Sequence, residues 1–263
     1  MITFRQYVQP ETLQEAWELN QKKPNVLIGG MLWLKMQSRT CQTAIDLSKL
    51  GLDMIEEDEN EFKIGAMVRL ADLEHHEGLN SLYNQSLKRA VEQIVGVQFR
   101  NLATVGGSIF GRYGFSDVLT VLLALDAEVE LVQKGRIPLR EFANLPYDRD
   151  VLAYIYIPKT GQQVYYDSIR NQATDFPVLT CAVARTQGKV KAVIGARPQR
   201  AMVIDAPEEM DCSTPDGIDA FSSYVQTNTP VGTNQRAAKE YRSAMCKVLT
   251  RRGLKEIEKT YGI

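Results

Sequence analysis

The chain has 263 residues, 44% of them hydrophobic, and a formal net charge of −1, enough to bury a core in one large or two modest domains. Its Lys and Arg are spread along the sequence, so it lacks the clustered positive charge that nucleic-acid phosphates demand. The opening residues Met1–Gln6 carry no apolar signal core, and no apolar stretch approaches the ~18 residues of a membrane span; the expectation is a cytoplasmic protein that engages neither nucleic acid nor membrane.

In chain order, Thr12-Leu13-Gln14-Glu15 reads as a capping box, with Leu13, Ala16 and Trp17 at helical spacing and Pro24 just past the helix. Val26–Ile28 predicts a short buried strand, and Met31–Met36 a short helix. Strands are predicted over 43–47 and 62–66. Leu82, Leu87, Ala90, Val91 and Ile94 predict one helix closed by Gly96. Asp117 opens the apolar run Val118–Leu125, and alternation then predicts strands over 127–132 and 151–157, the second stopped by Pro158. A boundary falls at Pro158-Lys159-Thr160-Gly161. Three β-type runs follow, over 164–170, 178–184 and 190–196. Two helices come last, one at Thr214-Pro215, with Thr as cap and Pro at the first helical position, and one near Asn234. Strands followed by helices is the α+β order.

Few side chains suit acid–base or metal chemistry. Cys41, Cys181, Cys212 and Cys246 lie far apart, without zinc or iron–sulfur spacing, and are expected as buried thiols. The two histidines, His75 and His76, are adjacent in a polar stretch and expected at the surface, which leaves a Ser–His–Asp or Cys–His hydrolase little to build on. Chemistry, if any, must come from a cofactor. Gly106-Gly107, between Thr104 and Ser108, offers it a place, because glycines let backbone N–H groups approach phosphate oxygens. A second pair sits upstream in Leu27-Ile28-Gly29-Gly30-Met31-Leu32. Asp117 either caps the helix it opens or accepts hydrogen bonds from ligand hydroxyls. Neither turn is the G-x-G-x-x-G fingerprint of a Rossmann domain. One glycine pair alone reads as a tight turn; two, with Thr, Ser and Asp at these spacings, point to a pyrophosphate held between two segments.

The order of short motifs resembles one family nearly end to end. Phe4-x-x-Tyr7-x-x-Pro10 before a capped helix, Ile28-Gly29-Gly30, Ile64-Gly65-Ala66 with Leu70-Ala71-Asp72-Leu73, Arg100-Asn101-x-x-Thr104-Val105-Gly106-Gly107-Ser108 and Ser116-Asp117 are similar to successive segments of the FAD-binding medium subunit of molybdenum hydroxylases. That family includes the flavoprotein components of xanthine, carbon monoxide and nicotinate dehydrogenases. Leu122–Ala127, then Tyr166, Arg170 and Asp175, then Gly195-Ala196-Arg197-Pro198-x-Arg200-Ala201 continue the likeness. The resemblance implies an α+β fold. A PCMH-type FAD-binding domain over 1–160, in subdomains of about 1–52 and 53–160, would precede a smaller α+β domain of the carbon monoxide dehydrogenase flavoprotein C-terminal type over 161–263. By position it implies that Leu27 to Leu32 hold one side of the FAD pyrophosphate, that Thr104, Gly106, Gly107 and Ser108 hold the other, and that Asp117 binds polar atoms of the ribityl chain or ring.

The chain departs from the family at several points. Met31 stands where Thr is usual and Leu32 where Asp or Asn is usual, and Asn171 replaces a basic residue common in the family. Gly111–Phe115 replaces a small, polar stretch; Tyr113 and Phe115 either stack on a ring or fill space, and Arg112 is expected in solvent, with a contact to phosphate as the alternative. The resemblance further implies an electron-transfer subunit without catalytic side chains. Its partners would be a large molybdopterin-binding chain and a small [2Fe–2S] chain, and its acceptor a molecule such as NAD+. The alternatives are a scaffold paralogue that has lost FAD and another oxidoreductase on a related flavin fold.

Overall fold

The computed structural model describes residues 1–262, which pack as two compact units. The first gathers residues 1–72, 97–111 and 127–158; the second gathers 73–96, 112–126 and the chain from Lys159 onward.

The first unit contains two sheets. Strands β1 (Thr3–Val8), β2 (Val26–Ile28) and β3 (Thr40–Asp46) form a parallel sheet in the order β1-β3-β2. Parallel neighbours need a crossover, and the helix Leu13–Asn20 lies within one. Thr12 caps that helix as predicted: its side chain accepts from the Glu15 N–H at 3.1 Å, while Glu15 reaches back to the Glu11 N–H at 2.8 Å. Ala16 is fully buried in a cluster with Ile45, Leu47, Leu52, Val151 and Ala153, and Leu13 and Trp17 pack against it. Strands β4 (Ile55–Glu57), β5 (Glu61–Gly65), β6 (Glu128–Leu131), β7 (Gly135–Pro138) and β8 (Leu152–Pro158) form an antiparallel sheet in the order β4-β5-β8-β6-β7. Its centre is apolar, with Phe62, Ile64, Ile155 and Ile157 at 0% exposure.

The second unit is built on β9 (Gln163–Arg170), β10 (Pro177–Thr186), β11 (Lys189–Gly195) and β12 (Met202–Asp205), antiparallel in the order β12-β11-β10-β9. Leu179, Cys181 and Val183 on one face of β10 pack with Phe221 and Val225 of the helix Pro215–Asn228 and with Cys246, Leu249, Leu254 and Ile257 of the helix Lys239–Tyr261. The helices Ser86–Val91 and Asp117–Ala124 also pack on this sheet, and Thr120 Oγ1 lies 3.0 Å from Thr180 Oγ1. Burial on both faces explains why β10 reads as an almost unbroken apolar run. Thr214 caps the helix that Pro215 opens, as predicted.

Four sequence expectations shift. The helix expected over 31–36 is a single 3-10 turn, Leu34–Met36, because Met31 takes a left-handed φ of 60°. The helix expected through 82–94 is Ser86–Val91, because Asn84 and Gln85 take left-handed φ of 49° and 58° and break the run. The last helix starts at Lys239 rather than near Asn234, whose side-chain oxygen accepts from the Arg236 N–H and from Arg242 instead. Edge strands β1, β4, β7 and β12 were not predicted; their short or half-exposed sequences carry weak alternation. The four cysteines are buried and free, as expected. Among the described residues no helix is long and apolar enough to cross a membrane.

Candidate functional site

The two glycine pairs come together in the first unit. Leu27 and Ile28 sit on β2, paired with Ile45 and Asp46 of β3, and the chain turns directly after them. A Cβ on Gly30 would lie 1.7 Å from the Leu102 carbonyl oxygen, so only glycine fits there. A Cβ on Gly29 would lie 3.1 Å from Thr104 Oγ1, and one on Gly107 would lie 3.0 Å from the same atom. One on Gly106 would lie 2.7 Å from both Cβ and O of Ala66. None of the four has a positive φ. Space, not backbone angle, therefore requires glycine at 30 and 106, while Gly29 and Gly107 flank the Thr104 hydroxyl and are exposed.

The second turn is fixed by its own hydrogen bonds. Thr104 bridges to Arg69, and the amides of Val105 and Gly106 donate to the carbonyls of Val68 and Ala66 at 2.8 and 2.9 Å. Thr104 caps the helix Val105–Phe110: its Oγ1 accepts from the Gly107 N–H at 3.1 Å, and its carbonyl accepts from the Ser108 N–H and hydroxyl at 3.1 and 3.0 Å. The four amides from 105 to 108 are thus engaged by the protein. What this turn offers a ligand is the bare Cα of Gly107 and the hydroxyl hydrogen of Thr104.

The first turn differs. Among the described residues the N–H groups of Gly30, Met31 and Leu32 meet no protein acceptor. Met31 has φ of 60°, a left-handed conformation that costs a non-glycine residue roughly 1–2 kcal/mol. A left-handed residue between right-handed or extended neighbours turns successive amides toward one point and makes an anion-binding concavity. The departure from Thr at 31 therefore removes a hydroxyl but leaves three consecutive backbone donors in place.

Asp117 belongs to the second unit. It is the first residue of the helix Asp117–Ala124, and Ser116 is the cap, its Oγ accepting from the Leu119 N–H at 3.1 Å. Asp117 is 4% exposed. Its Oδ1 accepts from Arg170 Nη2 at 2.5 Å and from the Tyr166 hydroxyl. Burial pushes its carboxyl up to about 6, against the pull of the Arg170 charge and the hydrogen bond from Tyr166. Burial also raises the Tyr166 phenol, helped by the Asp117 charge. Arg170 Nη1 further holds the Asp175 carbonyl at 2.5 Å. The family resemblance includes Tyr166, Arg170 and Asp175 without pairing them to Asp117. The signal available was an acid at the head of an otherwise apolar helix, which needs a buried counter-charge.

In the same unit Tyr113 and Phe115 stack on each other, centroids 5.2 Å apart and 6° from parallel, and Phe115 meets Phe176 edge-on at 4.7 Å. Arg112, expected in solvent, is 2% exposed with φ of 45°. The Gly114 carbonyl accepts from the Ala196 N–H at 2.7 Å, which ties this loop to the turn after β11.

The family described as the FAD binding domain in molybdopterin dehydrogenase matches residues 2–160. Protein YgfM of Escherichia coli K12 is 30% identical over 187 residues, 70% of each chain. The glyceraldehyde dehydrogenase medium chain of Sulfolobus acidocaldarius is 26% identical over 274 residues, 95% of this chain and 97% of its own length. Carbon monoxide dehydrogenase from Hydrogenophaga pseudoflava shares the fold, with a TM-score of 0.82 at 21% identity over 95% of this chain and 96% of that one. The α+β fold expected from the sequence is the fold of the chain. The match over more than half of its length decides the matter: the chain belongs to the family of FAD binding domains in molybdopterin dehydrogenases, and is an oxidoreductase subunit with FAD as its cofactor.

Proposed function

We propose that the FAD pyrophosphate is held by the open amides of Gly30, Met31 and Leu32, with Leu27 and Ile28 anchoring that turn to the sheet. Thr104 donates its hydroxyl to the same group, Gly29 and Gly107 leave room for close approach, and Gly106 and Ser108 hold the Thr104 turn in shape. Asp117, whose orientation Arg170 and Tyr166 fix, is the residue that the family resemblance assigns to polar atoms of the flavin half. The observation that carries this reading is the set of three consecutive unpartnered amides beside the Thr104 hydroxyl. Neutral donors suit the phosphate without an Arg or Lys clamp.

Bound FAD supplies the redox chemistry, and the protein positions and tunes it. In this proposal the chain is the electron-transfer subunit of a xanthine or carbon monoxide dehydrogenase-type complex. A large molybdopterin-binding partner chain would supply the oxidation of substrate, a small [2Fe–2S] partner chain would relay the electrons, and an acceptor such as NAD+ would receive them. In sequence, residues 1–160 are the FAD-binding part and 161–263 the smaller C-terminal part, with 73–96 and 112–126 of the first packing in the same unit as the second, and the complex works in the cytoplasm. The side chains at 31 and 32 motivate a scaffold that has lost FAD; the backbone donors at those positions do not depend on the side chains and favour retention.

The test is a visible spectrum of the purified chain after incubation with FAD and gel filtration. One flavin per chain is expected, fully released by acid precipitation, because no Cys or His lies in either glycine turn to form a covalent bond. A colourless protein after FAD incubation would overturn the assignment. Met31 gives a sharper check. Met31→Gly keeps the left-handed turn and is expected to retain flavin affinity, whereas Met31→Val places a β-branched residue at positive φ and is expected to lose it at least ~10-fold. Equal affinities in the two would show that the conformation of residue 31 does not shape the site.

A further inference from the structure

Asp117 and Arg170 are the buried end of a longer row of charges in the second unit. Arg170 Nη2 donates to Asp117 Oδ1 and its Nη1 to the Asp175 carbonyl, both at 2.5 Å. Asp175 also carries a carboxylate, whose Oδ1 accepts from the Phe176 N–H at 2.7 Å and lies 3.5 Å from Arg236 Nη2. The row Asp117, Arg170, Asp175, Arg236 thus alternates in sign. The side chains of its first pair are 5% and 4% exposed, those of its second pair 35% and 34%. The outer arginine is placed from the core. Arg242, 0% exposed near the head of the last helix, donates to the carbonyls of Val178, Gly232 and Ala237 and to Asn234 Oδ1 at 2.6–2.9 Å. Asn234 Oδ1 also accepts from the Arg236 N–H at 3.0 Å, and the Asn234 N–H donates to the Ala237 carbonyl at 3.1 Å. These bonds close the turn that carries Arg236 and join it to β10 just beyond Phe176. Arg236 then lies over the Phe176 ring, its Cζ 4.9 Å from the centroid, and its carbonyl accepts from Asn171 Nδ2 at 3.2 Å. Both ends of the loop between β9 and β10 therefore meet one arginine.

Two carboxylates and two guanidiniums balance in this row. Without Arg236, Arg170 alone would serve two acids, and Asp175 would compete for the charge that the buried Asp117 needs more. Besides Arg170, the group that faces the Asp117 carboxyl is the Tyr166 hydroxyl, also from β9. The charged side chains on the other elements packed against the helix Asp117–Ala124 are engaged elsewhere or exposed. Lys191 pairs with Asp126 beyond that helix, Arg89 lies over the Tyr165 ring and Arg185 holds the Cys212 carbonyl, while Lys88, Lys189 and Asp205 are exposed.

We propose that Arg236 is a positioning residue for Asp117: it holds Asp175, so that Arg170 stays committed to the carboxylate that serves the flavin. The proposal rests on the assignment of Asp117 to the flavin half. FAD titration of the full-length apoprotein, followed by flavin fluorescence from about pH 5 to pH 8, tests it. In the wild type, affinity is expected to fall as Asp117 takes up a proton, where burial holds its carboxyl at about 6. Arg236→Met weakens the hold of Arg170 on Asp117 and is expected to move that fall to higher pH by ~0.5 or more. Asp175→Asn removes the competing acid and is expected to move it the other way, to lower pH. Arg236→Met combined with Asp175→Asn restores the balance of charge and is expected to return the fall to within ~0.3 of the wild-type pH. A purely structural role would instead lower affinity at every pH in both single variants and more so in the double one, and that pattern overturns the proposal. Circular dichroism checks that each variant is folded; should Arg236→Met not fold, the downward move in Asp175→Asn decides by itself. Unmoved profiles in the single variants, with affinity lowered in Asp117→Asn, overturn the proposal while leaving Asp117 at the flavin. Wild-type affinity and pH profile in Asp117→Asn would overturn the reading of Asp117 and this proposal with it.

Discussion

Gly107→Val is expected to weaken FAD binding sharply and leave the apoprotein folded. The residue lies in the first turn of a helix at an ordinary φ, so valine meets no backbone conflict. The one atom within 4 Å of the added Cβ is Thr104 Oγ1 at 3.0 Å. Losing that cap costs about 1 kcal/mol. The branched side chain then stands where the flavin phosphates should approach, and affinity is expected to fall at least ~10-fold, or about 1.4 kcal/mol. Gly30→Ala is the contrasting variant. Its methyl group would collide with the Leu102 carbonyl at 1.7 Å, and the apoprotein itself is expected to lose about 1–3 kcal/mol or more. Flavin titration and urea unfolding of both apoproteins separate the cases. Undiminished FAD affinity in Gly107→Val would show that this turn does not face the ligand.

Arg170→Met is expected to cost about 3–5 kcal/mol at pH 8, because it leaves the Asp117 carboxylate buried without its cation. The sign of the pH dependence follows from the raised carboxyl. A folded-state value above the unfolded one means that the folded chain binds the extra proton, so this group adds stability as pH falls and withholds it above the folded value. In the wild type that window runs from about 6 down to the ordinary value of 3.8. Removing the arginine moves its upper edge higher, so the deficit of Arg170→Met should shrink steadily from pH 8 toward pH 5. Arg170→Met combined with Asp117→Asn carries no buried charge and should recover much of the loss at pH 8. Urea unfolding across that range measures all three chains; a deficit independent of pH would mean that the pair acts through packing alone.

Local chemistry was the part of this molecule legible in the sequence. Caps at Thr12 and Thr214 and the runs that became β9, β10 and β11 depend on neighbours a few residues away, and the structure has them where they were expected. The two glycine pairs were visible as candidates, but their division of labour was not. Gly30 is required by a carbonyl 72 positions downstream and Gly106 by Ala66, contacts that no spacing rule encodes. The left-handed Asn84 and Gln85 cut a helix whose apolar positions were all correctly spaced, because periodicity reports faces and not φ. Arg112 and Arg170 were unreadable for a related reason: whether an arginine is solvated or buried depends on segments that arrive from elsewhere in the chain.

The chain passes from one compact unit to the other five times, at about residues 72, 96, 111, 126 and 158. A single proteolytic cut therefore cannot release either unit whole. A fragment ending near residue 160 would carry the helix Asp117–Ala124, every residue of which is buried in the intact chain, without the sheet that covers it. Such a fragment is expected to aggregate when expressed alone and to regain solubility when residues from 159 onward are supplied in trans.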